Sequence, residues 1–340
     1  MKTKFFFLLI TNVAFVCNAF AQFPESNENY VQIMRDDFNG TFDNTTWYYS
    51  TQPHESGGTY EGLAYPLINN VFIDDTCLVI RARNDTSISH TNVNCHYGGV
   101  HTYTSGSIVS NGKYGYGLYE MYANLPAESG CWPAFWLWSC GEDNNDDWYN
   151  EIDIFEAYGN DNDDIESNMH YSPTCGNRIQ YGANKHPVLY NNGFHWYGIE
   201  WNSDRITWYV DRVAVRQVNN TMEGEGIQHK MKIIINLELQ NKETNNIALA
   251  TFPIFMRVDY VAYYKLLWDC DTDVVEISDY STFDYAVKKS IRLSGLSSLN
   301  VNENASIMAT DYIILENGFE VPVGSEFYAD VVPCDNDVQN

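Results

Sequence analysis

The chain has 340 residues and carries 45 acidic against 19 basic side chains, a formal net charge of −26. Such a surface repels phosphate, which makes nucleic acid and anionic membranes poor partners. A hydrophobic share of 44% argues against wholesale disorder, and 25 Tyr with 9 Trp suit strands and stacking on flat apolar ligands.

At the N-terminus, Lys2 and Lys4 precede an apolar run from Phe5 to Val16, shorter than the ~20 residues a bilayer span needs. Ala19-Phe20-Ala21 places small residues before Gln22. Residues 1–21 are therefore expected to be a secretory signal peptide, with no membrane insertion of the rest. The mature chain is then secreted or held at the cell surface, in an oxidising compartment. Beyond Cys17, seven cysteines remain, an odd number. Their connectivity is not readable from sequence, but Cys270 and Cys334 bracket the last section and are expected to close it. No CxxC pair and no HExxH occurs, so no zinc-type site is indicated.

From Tyr30 to about Leu266 short apolar alternations are broken by Gly, Asn and Asp, as in Leu78–Ala82, Gly117–Leu125, Trp132–Trp138, Ile152–Tyr158, His195–Trp201, Ile206–Val210, Met231–Leu239 and Met256–Tyr264. No long helical stripe is present. This pattern predicts an all-β fold, a jelly-roll sandwich of two large sheets over residues 22–268. After Trp268 brief apolar pulses (Ile291/Leu293, Val301, Ile307, Ile313/Leu315, Phe319/Val321, Phe327) alternate with Asn-rich turns. They predict a small β module of coiled rungs over 269–340, a cap or surface-attachment element.

The chemistry centres on Glu151-Ile152-Asp153-Ile154-Phe155-Glu156. Strand side chains alternate faces, so Glu151 and Asp153 share one and Ile152 and Ile154 the other. Glu156 has the wrong parity to join the two acids. A β-bulge between Asp153 and Glu156 would bring all three together; without it, Phe155 sits on the acidic face and Glu156 points inward. Converging acids raise one pKa, which suits glycoside hydrolysis by a nucleophilic and a protonated carboxyl. Spacing alone is equally met by an acidic strand facing solvent. Upstream, one face of Trp132–Trp138 carries Trp132, Ala134, Trp136 and Trp138 and the other Phe135 and Leu137. The first could be a sugar-stacking platform, or the strand could be buried on both sides.

Gly-Cys-Trp-Pro-Ala-Phe-Trp-Leu (130–137) followed by Glu-Ile-Asp-Ile-Phe-Glu (151–156) resembles glycoside hydrolase family 16. The hexapeptide is similar to the bulged motif of its laminarinases and agarases. Flanking pieces agree: Tyr103-Thr104-Ser105-Gly106, Phe194-His195-Trp196-Tyr197, Trp208-Tyr209-Val210-Asp211 and Val258-Asp259-Tyr260-Val261. The resemblance implies a concanavalin-like β-jelly roll over residues 30–266 that cleaves β-glycans with retention. Glu151 would be the nucleophile, Glu156 the general acid/base, and Asp153 the charge between them. Trp132, Trp136 and His170 would contact substrate. Asp259 would hold a structural calcium on the convex side; no other cofactor is implied.

Three departures stand out. Tyr122 replaces an Arg expected to bind substrate, Arg212 replaces the usual Gly after Asp211, implying a different hairpin, and Glu238-Leu239-Gln240 replaces a Gly-rich tail. The Asp/Asn-rich stretches from Cys140 to Asn150 and from Asn160 to Asp164 are expected to be solvated surface. The sequence thus points to a monomeric endo-β-glycanase acting on a polysaccharide, β-1,3- or mixed-linkage glucan first. The alternatives are an agarase/porphyranase-type β-galactanase, a transglycosylase and a non-catalytic carbohydrate-binding protein.

Overall fold

Alternation sets the two faces of each strand. In Lys232–Leu239, the side chains of Ile233, Ile235, Leu237 and Leu239 enter the main core, while Lys232, Ile234, Asn236 and Glu238 take the other face. The computed structural model describes residues 30–334, apart from 51–62, 75, 91–98, 141–148, 160–163, 173–178, 181–182, 189, 203–204, 221–226, 228, 243–244, 278–285, 298, 300 and 303. The expected signal peptide, the loop 141–148 and the run 160–163 lie outside the described residues.

Two antiparallel sheets pack face to face. The first runs through Trp47–Tyr49, Gly99–Ser110, Lys232–Leu239, Cys131–Cys140, Tyr149–Glu156 and Asp164–Ser172, and ends on Ile179–Gln180 and Asn184–Pro187. The second runs through Val213–Asn219, Arg205–Val210, His195–Trp201, Gly117–Asn124 and Ile254–Leu266. The last of these is long enough to pair with Cys77–His90 along one half and Tyr30–Asp36 along the other. Cys77–His90 also pairs with Gly99–Ser110 and so joins the sheets at one edge. The architecture is the expected jelly-roll sandwich. Trp47, Trp201, Trp208, Tyr119, Phe135 and Phe155 fill the space between its sheets, each fully buried. Among the described residues no helix is long and apolar enough to cross a membrane.

The close approach of loops to the first sheet depends on Gly130, at φ +86°, where a Cβ would fall 2.3 Å from Ile247 Cα. Only glycine meets both demands without strain. It feeds directly into the Trp-rich strand, and its carbonyl accepts from Gln240 N at 2.8 Å.

Past the sandwich, Trp268–Val275, Val287–Leu293, Ala305–Leu315 and Phe327–Val331 stack in parallel. Parallel neighbours require the chain to return to the same end after each strand, which makes these the rungs of a coil. Cys270 and Cys334 form a disulfide across 64 residues, as the bracketing suggested. Cys140 is also disulfide-bonded, and Cys77 is a free thiol. At the seam, the fully buried Lys288 pairs with Asp269 and lies 5.5 Å from the ring centre of Tyr116, just ahead of a sandwich strand.

Candidate active site

The outer face of the first sheet carries the acids. Pairing places Glu151 opposite Trp138 on one side and His170 on the other, and Asp153 opposite Trp136 and Asn168. Beyond Asp153 the register slips. Glu156 faces Ala134 and Glu166, so the acid strand uses one residue more than either neighbour. The surplus shows in the burial. Ile154 and Phe155, consecutive in sequence, both join the main core, and Glu156 returns to the outer face. Two residues opposing one is the arrangement of a β-bulge, and it puts Glu151, Asp153 and Glu156 on one side.

The three acids differ in surroundings. His170 Nε2 stands 3.4 Å from Glu151 Oε1 and 3.2 Å from Asp153 Oδ2. Glu151 also accepts from the Tyr149 hydroxyl, and Trp208 Nε1 donates to the Asp153 carbonyl at 2.8 Å. Glu156 accepts from Trp132 Nε1 at 2.9 Å. Burial pushes its carboxyl well above the ordinary value of 4.5, and the charges of Asp153 and Glu151 push it further; the Trp132 hydrogen bond opposes them. A raised, proton-holding carboxyl beside two other acids is suited to proton transfer.

The Trp strand settles as a half-buried platform. Trp132, Trp136 and Trp138 are partly exposed on the acids' face, and Phe135 and Leu137 are buried in the core. Trp136 Nε1 donates to Asn236 Oδ1 at 2.7 Å. His170 faces the acids as expected but is only 1% exposed. Glu151 and Asp153 beside it are nearly as buried, at 5% and 4%. Two tyrosines escaped the sequence reasoning. Tyr149 shares the face of Glu151 by simple alternation, a signal that was available. Tyr158 hydrogen-bonds Glu156 and packs 5.9 Å from the Trp132 ring; its reach depends on the bulge.

Asp259, Tyr122 and the Asp211-Arg212 turn lie in the second sheet. Asp259 sits in the second sheet at a register shift between Val258 and Tyr260, far in topology from the acids. Among the described residues, the one cluster of three His, Cys, Asp or Glu donors is Glu151, Asp153 and His170, within 4.8 Å of one another; Asp259 is not in it. Tyr122 belongs to an aromatic cluster on the outside of the second sheet, 5.3 Å from Phe194 and 6.2 Å from Tyr260. The change from Arg there does not touch the acids' face. Asp211 and Arg212 both have positive φ, 47° and 65°, the backbone of a type I′ hairpin. The turn expected to change type therefore keeps the glycine geometry. Trp196 helps hold it, donating its backbone N–H to Asp211 at 3.0 Å and lying under the Arg212 guanidinium at 4.1 Å.

Residues 69–252, over half of the chain, match the family model of glycosyl hydrolases family 16. The chain belongs to that family. Among family-16 and related proteins it is 30% identical over 167 residues to the endo-1,3-1,4-beta-glycanase ExsH of Rhizobium meliloti, covering 48% of this chain and 34% of that one. It is 28% identical over 269 residues to a glucan endo-1,3-beta-glucosidase of Niallia circulans, covering 68% and 37%. The chain thus spans about a third of the length of these relatives. Among solved structures, the catalytic domain of an endo-1,3-beta-glucanase (laminarinase) from Thermotoga petrophila superposes with a TM-score of 0.60 at 26% identity, over 71% of this chain and 99% of that domain. The endo-beta-1,3-glucanase of Pyrococcus furiosus gives a TM-score of 0.58 at 28% identity, over 69% and 94%. The family-16 match spans both the Trp strand and the acid strand.

Proposed function

We propose that this family-16 protein is a secreted endo-β-glucanase that hydrolyses internal bonds of a β-1,3- or mixed-linkage glucan with retention. The observation that carries the reading is the placement of Glu156 by the register slip, on the face of Glu151 and Asp153 and with its pKa raised. In the first step the Glu151 carboxylate attacks the anomeric carbon, and Glu156 gives its proton to the departing glycosidic oxygen. In the second, Glu156 takes a proton from water, which displaces Glu151 from the sugar with a second inversion. His170 stands between the nucleophile and Asp153, within reach of both, and Trp132 and Trp136 offer partly exposed indole rings for sugars. The relatives named as glucanases support the substrate class. The disulfides and the N-terminal leader pattern support export.

The test is reducing-end release from laminarin, lichenan, agarose, porphyran and xyloglucan, with proton NMR of the first product. Release from laminarin or lichenan with the β-anomer first, absent in Glu151→Gln, is expected. Release from agarose or porphyran alone would overturn the substrate, and the α-anomer would overturn the mechanism.

A further inference from the structure

The slip in the acid strand needs something to hold it. Restoring regular alternation would return Glu156 to the core and put Phe155 on the acids' face. Two side chains from the second sheet reach the slip, Trp208 from the core and the half-buried Arg216 from the edge strand. Trp208 Nε1 donates to the carbonyl of Asp153 at 2.8 Å, the last residue in register before the slip. Arg216 Nη1 donates to the Ser167 carbonyl at 2.8 Å and to Ser167 Oγ at 3.0 Å. Ser167 is the single residue that stands opposite both Ile154 and Phe155, and its hydroxyl is completed by His186 Nε2 at 2.8 Å.

These two donors form one unit. Trp208 and Arg216 are direct partners across adjoining strands, and the guanidinium lies 4.6 Å from the indole ring centre. Immediately beside them the register between their own strands also shifts, with Trp208 facing Arg216 but Tyr209 facing Ala214. Thus an irregularity in one sheet meets an irregularity in the other. Burial lowers the pKa of the Arg216 guanidinium while the Asp153 charge raises it, so the cation also lies within electrostatic reach of the acids.

We propose that Trp208 and Arg216 are positioning residues that hold the bulge of the acid strand and thereby fix Glu156 relative to Glu151. The consequence for rate rests on the hydrolytic function proposed above. Both side chains spend their contacts on the Asp153 carbonyl, on Ser167 and on each other rather than on the acids' face, so substrate affinity is not theirs to set. Misplacing a reacting group by about 1 Å can cost ~100-fold in rate.

Three variants test this. Trp208→Phe keeps the ring and removes the donor. Arg216→Gln removes the charge and shortens the reach. Arg216→Lys keeps one cationic nitrogen, which suffices in principle because both bonds to Ser167 come from the same guanidinium nitrogen. On the cleaved polymer, kcat is expected to fall about 10- to 100-fold in the first two, with KM within about twofold, and Arg216→Lys should recover most of the loss. Ser167→Ala, which deletes a single hydroxyl, serves if either larger change prevents folding, and should lower kcat in the same sense. A wild-type kcat in soluble Trp208→Phe and Arg216→Gln, or a change confined to KM, overturns the proposal. Hydrogen exchange at residues 153–156 gives a readout independent of substrate. Faster exchange in both variants is expected, and unchanged exchange overturns the proposal even if no glucan is cleaved by the wild type.

Discussion

Trp132 donates its indole N–H to Glu156 at 2.9 Å, tying the first residue of the aromatic platform to the acid whose pKa is raised. The bond favours the charged carboxylate and opposes the burial that raises its pKa. Trp132→Phe should therefore let the Glu156 pKa rise further. The alkaline limb of kcat/KM is expected to move up by about one pH unit; a profile measured on laminarin from pH 4 to pH 10 checks this, and a downward shift would contradict it.

Glu156 also makes a statement about stability. Its pKa is higher folded than unfolded, so its stabilising contribution is fully present below the unfolded value of 4.5 and is lost as pH rises through the folded value. Glu156→Gln removes a group that resists ionising in the folded state. The variant should unfold at a higher temperature than the wild type at neutral pH, with the gap closing below about pH 4. Activity should fall by roughly 100-fold or more, which thermal scans and reducing-end assays read separately.

His186 provides a second titration of opposite kind. Burial and the Arg216 charge lower its pKa to about 4 from 6.5. The unfolded chain then binds more protons in between, so stability is full above pH 6.5 and falls as pH drops through about 4. The loss amounts to roughly 3 kcal/mol. His186→Asn should flatten the urea-denaturation free energy across this window.

Beside Tyr116 of the sandwich, an ion pair between Lys288 and Asp269 ties two rungs of the coil together. Lys288→Ala leaves Asp269 without its cation and is expected to cost about 3–5 kcal/mol. Pairing Lys288→Met with Asp269→Asn should cost less than the single change, because no charge is left stranded. Denaturant melts with limited proteolysis of the segment after Leu266 check the difference.

Much of this molecule is local in origin. The period-2 patterns of Leu78–Ala82 and Ile206–Val210 suffice to call strands, because alternation is dictated by strand geometry. The same rule puts Glu151 and Asp153 on one face and makes Trp132, Trp136 and Trp138 a row. Tyr122 was less legible. Nothing in its sequence surroundings says which sheet, or which side of it, it occupies, and it lies in the second sheet.

Sequence by itself determined the all-β character, the run of acids and Trp, and the bracketing of the final module by Cys270 and Cys334. It left two geometries open at Asp153–Glu156, since an extra residue in a strand costs no recognisable residue type. Tertiary structure decided between them. Two neighbouring strands define the slip by their own register, and Trp208 and Arg216 reach it from the opposite sheet, 55 and 49 residues away along the chain from Asp153 and Ser167. Contacts between residues that far apart become specific only once both sheets are packed.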